Sequence, residues 1–228
     1  KLMRGKCWQR RELETALEVL RSAGTLRAGG MFIDVGANIG ALAVYALKSG
    51  VFSKVIAAEP DPHNFAILKR NVALNGFEQR VHAIEAAVSN TNGHLMLARH
   101  RKNYGAHSVE GSARINATQT ITVDAVTLDE VLRQQDVAPE EVALVKIDVE
   151  GHELSVLEGM GSLLQARVPI LVELTVEYGD DERLGKFKAL LAPFYERVLD
   201  LSDETWAGQV EPISDCRWRS SQSDLLIY

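Results

Sequence analysis

Three short apolar runs in this chain each end in an acid and then turn sharply. They are "FIDVGANIG" from Phe32, "IAAEPDP" from Ile56 and "LVKIDVEGHE" from Leu144. A carboxylate at the end of a buried strand is costly unless it meets water, a partner or a ligand. Between the runs the pattern changes to a helical period. Residues 41–49 are small and apolar and stop at Gly50, a C′ glycine. Residues 54–58 form a second strand. Asp61-Pro62 then supplies an N-cap and a first-turn proline, and Phe65, Leu68 and Val72 make a buried stripe. Asn75-Gly76 closes that helix, and residues 81–88 read as a third strand. Strand and helix in alternation imply a parallel sheet with right-handed crossovers.

Upstream, residues 10–23 read as an amphipathic helix with Leu13, Leu17 and Leu20 on one face. Downstream, residues 94–98 read as a strand and 103–116 as a loop. Residues 120–124 read as an edge strand, and 128–134 as a short helix. The regular pattern resumes at Ala143 with a strand, then one helix carrying Leu154, Leu157 and Leu164. Further strands fall at 169–174, 197–201 and 224–228, with a helix at 186–191. No repeat or linker divides the 228 residues. One domain is expected, with residues 1–30 as an N-terminal helical extension and 31–228 as the core.

Composition excludes several classes of function. No apolar run approaches the roughly 20 residues that span a bilayer. No signal-peptide core follows the basic start, so a cytoplasmic setting is expected. The net charge of −6 argues against nucleic acid as a partner. The local basic group of Arg99, Arg101 and Lys102 reads as a solvated loop. Cys7 and Cys216 lack metal-ligand spacing and read as reduced thiols. A homodimer is the usual soluble oligomer, but nothing in the sequence marks an interface.

The glycine turn reads Asp34-x-Gly36-x-Asn38-x-Gly40. Glycines at the carboxyl edge of a parallel strand let the backbone approach a ligand, and the following helix offers unpaired N–H groups. A dinucleotide turn requires G-x-G-x-x-G, and Asn38 departs from it. Glu59 ends the second strand, where an acid holds both hydroxyls of an adenosine ribose. Asp34 separates the cofactors that share this ribose contact. A carboxylate there repels a pyrophosphate and suits an ammonium, directly or through water. S-adenosylmethionine carries an ammonium, a sulfonium and no phosphate.

With those residues placed, the chain resembles the FkbM family of S-adenosylmethionine-dependent methyltransferases. The segments "FIDVGANIG", "AAEPDPHNFAILKRNVALNG" and "LVKIDVEGHELSVLEGM" carry the resemblance, joined by "VTLDEVL" and the closing "SDLLIY". It implies a Rossmann-like α/β fold: a seven-stranded, mostly parallel sheet with one antiparallel strand and helices on both faces. It implies methyl transfer to a hydroxyl of a sugar, polyketide or other small molecule, with S-adenosylhomocysteine as product. Carried onto this chain, Asp34, Gly36, Asn38 and Gly40 form the cofactor turn. Glu59 holds the ribose with Pro60 and Asp61 beside it. Ala86, Ala87 and Val88 border the adenine, with Glu85 as the nearest acid.

Methyl transfer needs alignment of the acceptor with the sulfonium methyl, and a hydroxyl acceptor gains from a base. In a strand, Lys146, Asp148 and Glu150 point to one side. Asp148 is assigned to the methionine end of the cofactor or to positioning the acceptor. His152 is the first choice of base, since imidazole titrates near pH 6.5, and Glu150 is the second. Glu153 reads as helix N-terminal electrostatics. His63 reads as a helix-start residue, and His107 as a loop residue able to fold over substrate. Asp148, Glu150 and His152 lack the further ligands a hard divalent ion takes, so no metal is expected. Two other readings are a nonenzymatic scaffold that keeps the fold and a nicotinamide-dependent dehydrogenase.

Overall fold

A computed structural model describes residues 9–100, 117–175, 181–202, 210–215 and 222–228. In chain order the first elements are α1 (Arg10–Ser22), β1 (Met31–Val35), α2 (Ala41–Lys48), β2 (Lys54–Ala58), α3 (Pro62–Leu74) and β3 (Val81–Ile84). There follow β4 (Ala87–Val88), β5 (Gly93–His100), β6 (Ala117–Val126), α4 (Leu128–Gln134) and β7 (Val142–Ile147). The chain closes with α5 (Glu153–Glu158), α6 (Gly161–Gln165), β8 (Ile170–Thr175), α7 (Asp181–Leu191), β9 (Arg197–Asp200), β10 (Val210–Pro212) and β11 (Gln222–Ile227). Cys7, Arg101, Lys102, His107 and Cys216 lie outside the described residues.

The main sheet has eight strands in the order β10-β9-β11-β8-β7-β1-β2-β3. Strands β3, β2, β1, β7 and β8 are mutually parallel, and β11 runs antiparallel between β8 and β9. The expected seven strands are present, and β10 adds a short antiparallel edge beside β9. Two apolar layers sandwich this sheet. One packs Ile33, Ile56, Val145 and Val172 beneath α4, α5, α6 and α7. The other packs Phe32, Val55, Leu144 and Leu226 beneath α1, α2 and α3. Strand alternation sends successive side chains to opposite layers, which is why these runs are apolar throughout. No described helix is long and apolar enough to cross a membrane.

Three expectations are corrected. Residues 81–88 do not form one strand: β3 ends at Ile84, and Ala87 and Val88 pair with Ala125 and Val126 in a separate three-stranded sheet, β4-β6-β5. The sequence does not mark the break: β3 is only partly buried while Ala87 and Val88 are buried, and apolar residues stand on both sides of the bend. The predicted edge strand at 120–124 belongs to a longer β6, which pairs with β5 along its length and with β4 at its end. The helix after β7 is split into α5 and α6. Its leucines still face inward, Leu157 and Leu164 buried and Leu154 packed against the same core.

The split has a local cause. At Gly159 the backbone lies against the end of β4, and an added Cβ would stand 2.0 Å from the Ser89 carbonyl oxygen. Asp129 of α4 then restarts the helix by accepting hydrogen bonds from the Ser162 N–H and hydroxyl at 3.1 and 2.6 Å. Gly159→Ala must push two backbone segments apart, and is expected to destabilise the fold by about 3 kcal/mol, read as a lowered urea midpoint at unchanged slope.

Candidate functional site

The direction of chain travel reverses between β1 and β7: β2 and β3 lie on one side of β1, and β7 and β8 on the other. The crevice at such a point, beyond the carboxyl ends of the strands, is where open α/β sheets bind ligands. A cleft of about 600 Å³, counted with its open mouth, lies there. Its walls include Gly36 and Asn38 after β1, Glu59 and Pro60 after β2, Ala86 to Val88, and Asp148 to Glu150 after β7. Leu97 of β5 and His152 also line it, so the three-stranded sheet forms one wall.

The turns are held in place by their own acids. Glu59 accepts from the Asn38 N–H at 2.8 Å and from the Asp61 N–H at 2.9 Å, joining the β1 turn to the β2 turn. Burial pushes its carboxyl up to about 7, against the pull of those two N–H donors. Asn38 takes a left-handed backbone with φ 50, a conformation asparagine tolerates better than most residues. At Gly36, φ is 77 and an added Cβ would fall 1.8 Å from the Asp148 carbonyl oxygen. No side chain fits there, and the β1 and β7 turns meet as bare backbone.

Three residues that sequence reasoning assigned to the cofactor turn or beside the ribose acid, Asp34, Gly40 and Asp61, lie behind the cleft wall. Asp34 is fully buried beneath it. The cation near it is this chain's own Lys146, whose Nζ is 4.0 Å from Asp34 Oδ1 and 3.0 Å from Asp148 Oδ2. Burial raises the Asp34 carboxyl to about 6 while Lys146 opposes the rise. Burial alone would lower the Lys146 ammonium, but Asp148 and Asp34 outweigh it and leave it raised. Gly40, at φ 74, packs on Leu68 of α3. Asp61 caps α3 through the N–H groups of His63 and Asn64 at 2.9 and 3.1 Å, and is clamped by Arg99 Nε at 2.7 Å. Arg99 is therefore an ion-paired residue of the second sheet, and the reading of it as part of a solvated patch is corrected.

The segment after β7 is a tight turn, not a continued strand. Lys146 and Asp148 share a side as expected, but Glu150 sits at φ 51 after the strand has ended, and alternation no longer governs it. Burial raises its carboxyl to about 7, helped by Asp148 and Glu153. His152 is 8% exposed, and its Nε2 lies 3.0 Å from Ser89 Oγ. Ser89 follows directly on Val88, so the imidazole leans on the wall expected to border adenine. Glu153 is buried, accepts from the Gly151 N–H at 2.7 Å and pairs with Arg183 of α7 at 2.8 Å. It braces the turn beyond any effect of the helix terminus. His63 is exposed at the start of α3, as expected, and Glu85 is exposed outside the cleft. Among the described residues no cluster of His, Cys, Asp and Glu has the arrangement of a metal site.

Strand register brings in two acids that sequence reasoning left inside ordinary strands. Val35 is level with Ala58 and Ile147, Ile147 with Val172, and Glu173 with Asp224. One residue further along, Glu59, Gly36, Asp148, Glu173 and Asp224 form a single row across β2, β1, β7, β8 and β11. All face the α1–α3 side. Burial raises Glu173 to about 8, with Asp148 and Asp224 adding to it, and raises Asp224 to about 6. The signal in the sequence was the single acid in "ILVELT" and in "SDLLI", but only the register makes them neighbours.

Known proteins match this chain along most of its length. The family profile described as the Methyltransferase FkbM domain matches residues 34–202. The chain is 31% identical to the 31-O-demethyl-FK506 methyltransferase FkbM of Streptomyces tacrolimicus, over 87% of this chain and 84% of that protein. It is 30% identical to the methyltransferase sdnD of Sordaria araneosa, over 56% of this chain and 59% of that protein's length. The crystal structure of a methyltransferase FkbM from Methylobacillus flagellatus KT superposes with a TM-score of 0.56 at 19% identity, covering 90% of this chain and 46% of that one. That likeness is one of fold.

The raised carboxyls make a pH prediction. Each holds its proton in the folded chain at pH values where the unfolded chain, with ordinary values near 4, has released it. Their contribution to stability is full below about pH 4 and is lost as pH rises through about 6 to 8. The urea midpoint of the ligand-free protein is expected to fall between about pH 5.5 and about pH 8.5, and Glu173→Gln to flatten the upper part of that decline.

Proposed function

This chain belongs to the FkbM methyltransferase family, and on that premise we propose that it methylates a hydroxyl oxygen of a small molecule, with S-adenosylmethionine as donor. The observation that carries the reading is the cleft between the β1 and β7 turns. It brings Gly36, Asn38, Glu59, Ala86 to Val88 and Asp148 onto one surface with no lysine or arginine among the described residues that line it. A pyrophosphate site needs donors or cations aimed at phosphate. This cleft instead offers carboxylates, which suit a ligand bearing an ammonium and a ribose.

The residues present fit that cofactor. Glu59 uses one lone pair on each oxygen for the turn N–H groups, and a carboxylate keeps further acceptor sites for two ribose hydroxyls. The buried faces of Ala86, Ala87, Val88 and Leu97 give an apolar slot for a purine. Asp148, half-buried at the mouth, takes the ammonium end or the acceptor. When bound, the cofactor supplies a methyl group already activated by the sulfonium. The protein's task is then alignment, worth roughly 7–11 kcal/mol when complete, together with removal of the acceptor proton. His152 and Glu150, the bases expected from sequence, both line the cleft. A small-molecule acceptor fits the relative from Streptomyces tacrolimicus, whose name specifies a methylated oxygen on FK506.

Calorimetry with S-adenosylhomocysteine tests the reading. The wild type is expected to bind it. Glu59→Gln keeps the size of the side chain but replaces an acceptor oxygen with a donor, and should weaken binding about 100-fold, the loss of roughly two charge-assisted hydrogen bonds. Binding of NADH by the wild type in place of S-adenosylhomocysteine would show that the cofactor is misassigned.

A further inference from the structure

The carboxylate row continues past the cofactor cleft, and its far end is built like a second half-site. Asp148 lines the cleft, and Glu173 stands next to it in the row. One atom joins them: Gln9 Nε2, just before α1, donates to Asp148 Oδ2 at 2.8 Å and to Glu173 Oε2 at 2.5 Å. Gln222 donates to the other oxygen of Glu173. Glu173 thus meets neutral amides on both sides, and the ammonium in this region, on Lys146, is hydrogen-bonded to Asp148.

One further observation points to a missing ligand. Thr175, two residues beyond Glu173 and so on the same face of β8, carries a buried hydroxyl without a partner. An unmade hydrogen bond at a buried group is costly. A hydroxyl left in this condition beside the acid row is one that a hydroxylated ligand satisfies.

We infer that Glu173 takes the proton of the acceptor hydroxyl, which binds where the Gln9 amide now bridges Asp148 and Glu173. The inference rests on the methyltransferase reading above. A hydroxyl there donates to Glu173 while its oxygen turns toward the cleft. The acceptor oxygen forms a bond to the methyl carbon, the carbon–sulfur bond breaks with its electron pair kept by sulfur, and the hydroxyl proton passes to Glu173. Water then carries that proton away.

The groups facing Glu173 set how it titrates. Asp148 and Lys146 face it from β7 and its turn, Asp224 from β11, and Gln9 and Gln222 contact it directly. Glu12 of α1 and Asp200 of β9 act on Asp224. With its carboxyl pushed up to about 8, Glu173 is a base of nearly matched strength for work near neutrality. Turnover should rise with pH until Glu173 has ionised.

The test uses the whole chain with S-adenosylhomocysteine bound and glycerol as the hydroxylated probe. Carboxyl-labelled glutamate gives one NMR resonance per glutamate, and Glu173→Gln identifies that of Glu173 by its loss. Added glycerol is expected to shift this resonance in the wild type, while His152→Ala leaves the shift intact. With labelled S-adenosylmethionine, methyl transfer to glycerol should fall on the order of 10²–10⁴-fold in Glu173→Gln, lose its pH dependence, and recover in part in Glu173→Asp. A Glu173 resonance that ignores glycerol in protein that binds S-adenosylhomocysteine overturns the inference. So does a pH dependence that disappears in His152→Ala and persists in Glu173→Gln. Failure to bind S-adenosylhomocysteine would instead overturn the cofactor reading.

Discussion

Lys146 is the buried cation on which the carboxyl edge of this sheet depends. It lies level with Asp34 and one layer beneath Asp148. The row above it carries four acids on adjacent strands, with Gly36 as the gap. Left alone, so many carboxylates at that spacing would repel one another through a poorly screened interior. The chain answers in three ways: one lysine beneath, amides from Gln9 and Gln222 at the side, and proton affinities raised at Glu59, Glu173 and Asp224. Removing either partner of such a buried pair is costly because the other is then unpaired. The arrangement is tolerable in the free protein and better satisfied by a ligand that brings positive charge and hydroxyl groups.

That row also divides the proposed work by position. Glu59 stands at one end, tied to two backbone N–H groups and facing an apolar slot. Asp148 stands in the middle, at the meeting of the β1 and β7 turns. Glu173 and Asp224 stand at the other end, under the start of α1. The bare contact of Gly36 with the Asp148 carbonyl keeps the two turns together, so cofactor and acceptor sides share one rigid edge. Rigid strands hold geometry better than loops, which is what an alignment-driven transfer requires.

Much of this was legible from residue order. The boundaries of β1 and β2 and the cap of α3 by Asp61-Pro62 follow from period, glycine and capping chemistry. So does the clustering of Gly36, Asn38, Glu59 and Asp148, because strand ends in a parallel sheet must share an edge. Residues 81–88 were misread as one strand because apolar residues stand on both sides of the bend at Glu85 and Ala86. The break between α5 and α6 was missed for a similar reason. It comes from Gly159 touching Ser89, a contact between segments far apart in sequence.

The sequence by itself determined the alternation of strand and helix, and with it the parallel sheet, the crossover hand and the glycine turn that a ligand can approach. These are local or nearest-neighbour properties, set by backbone sterics and by the period of apolar residues. Tertiary structure alone decided that Asp34 is sealed under the cleft while Lys146 faces it, and that Arg99 clamps the cap of α3. It alone set Glu173 and Asp224 in line with Glu59 and Asp148. Such neighbours depend on register between strands that are distant in the chain, and register is set by how two apolar layers pack at once.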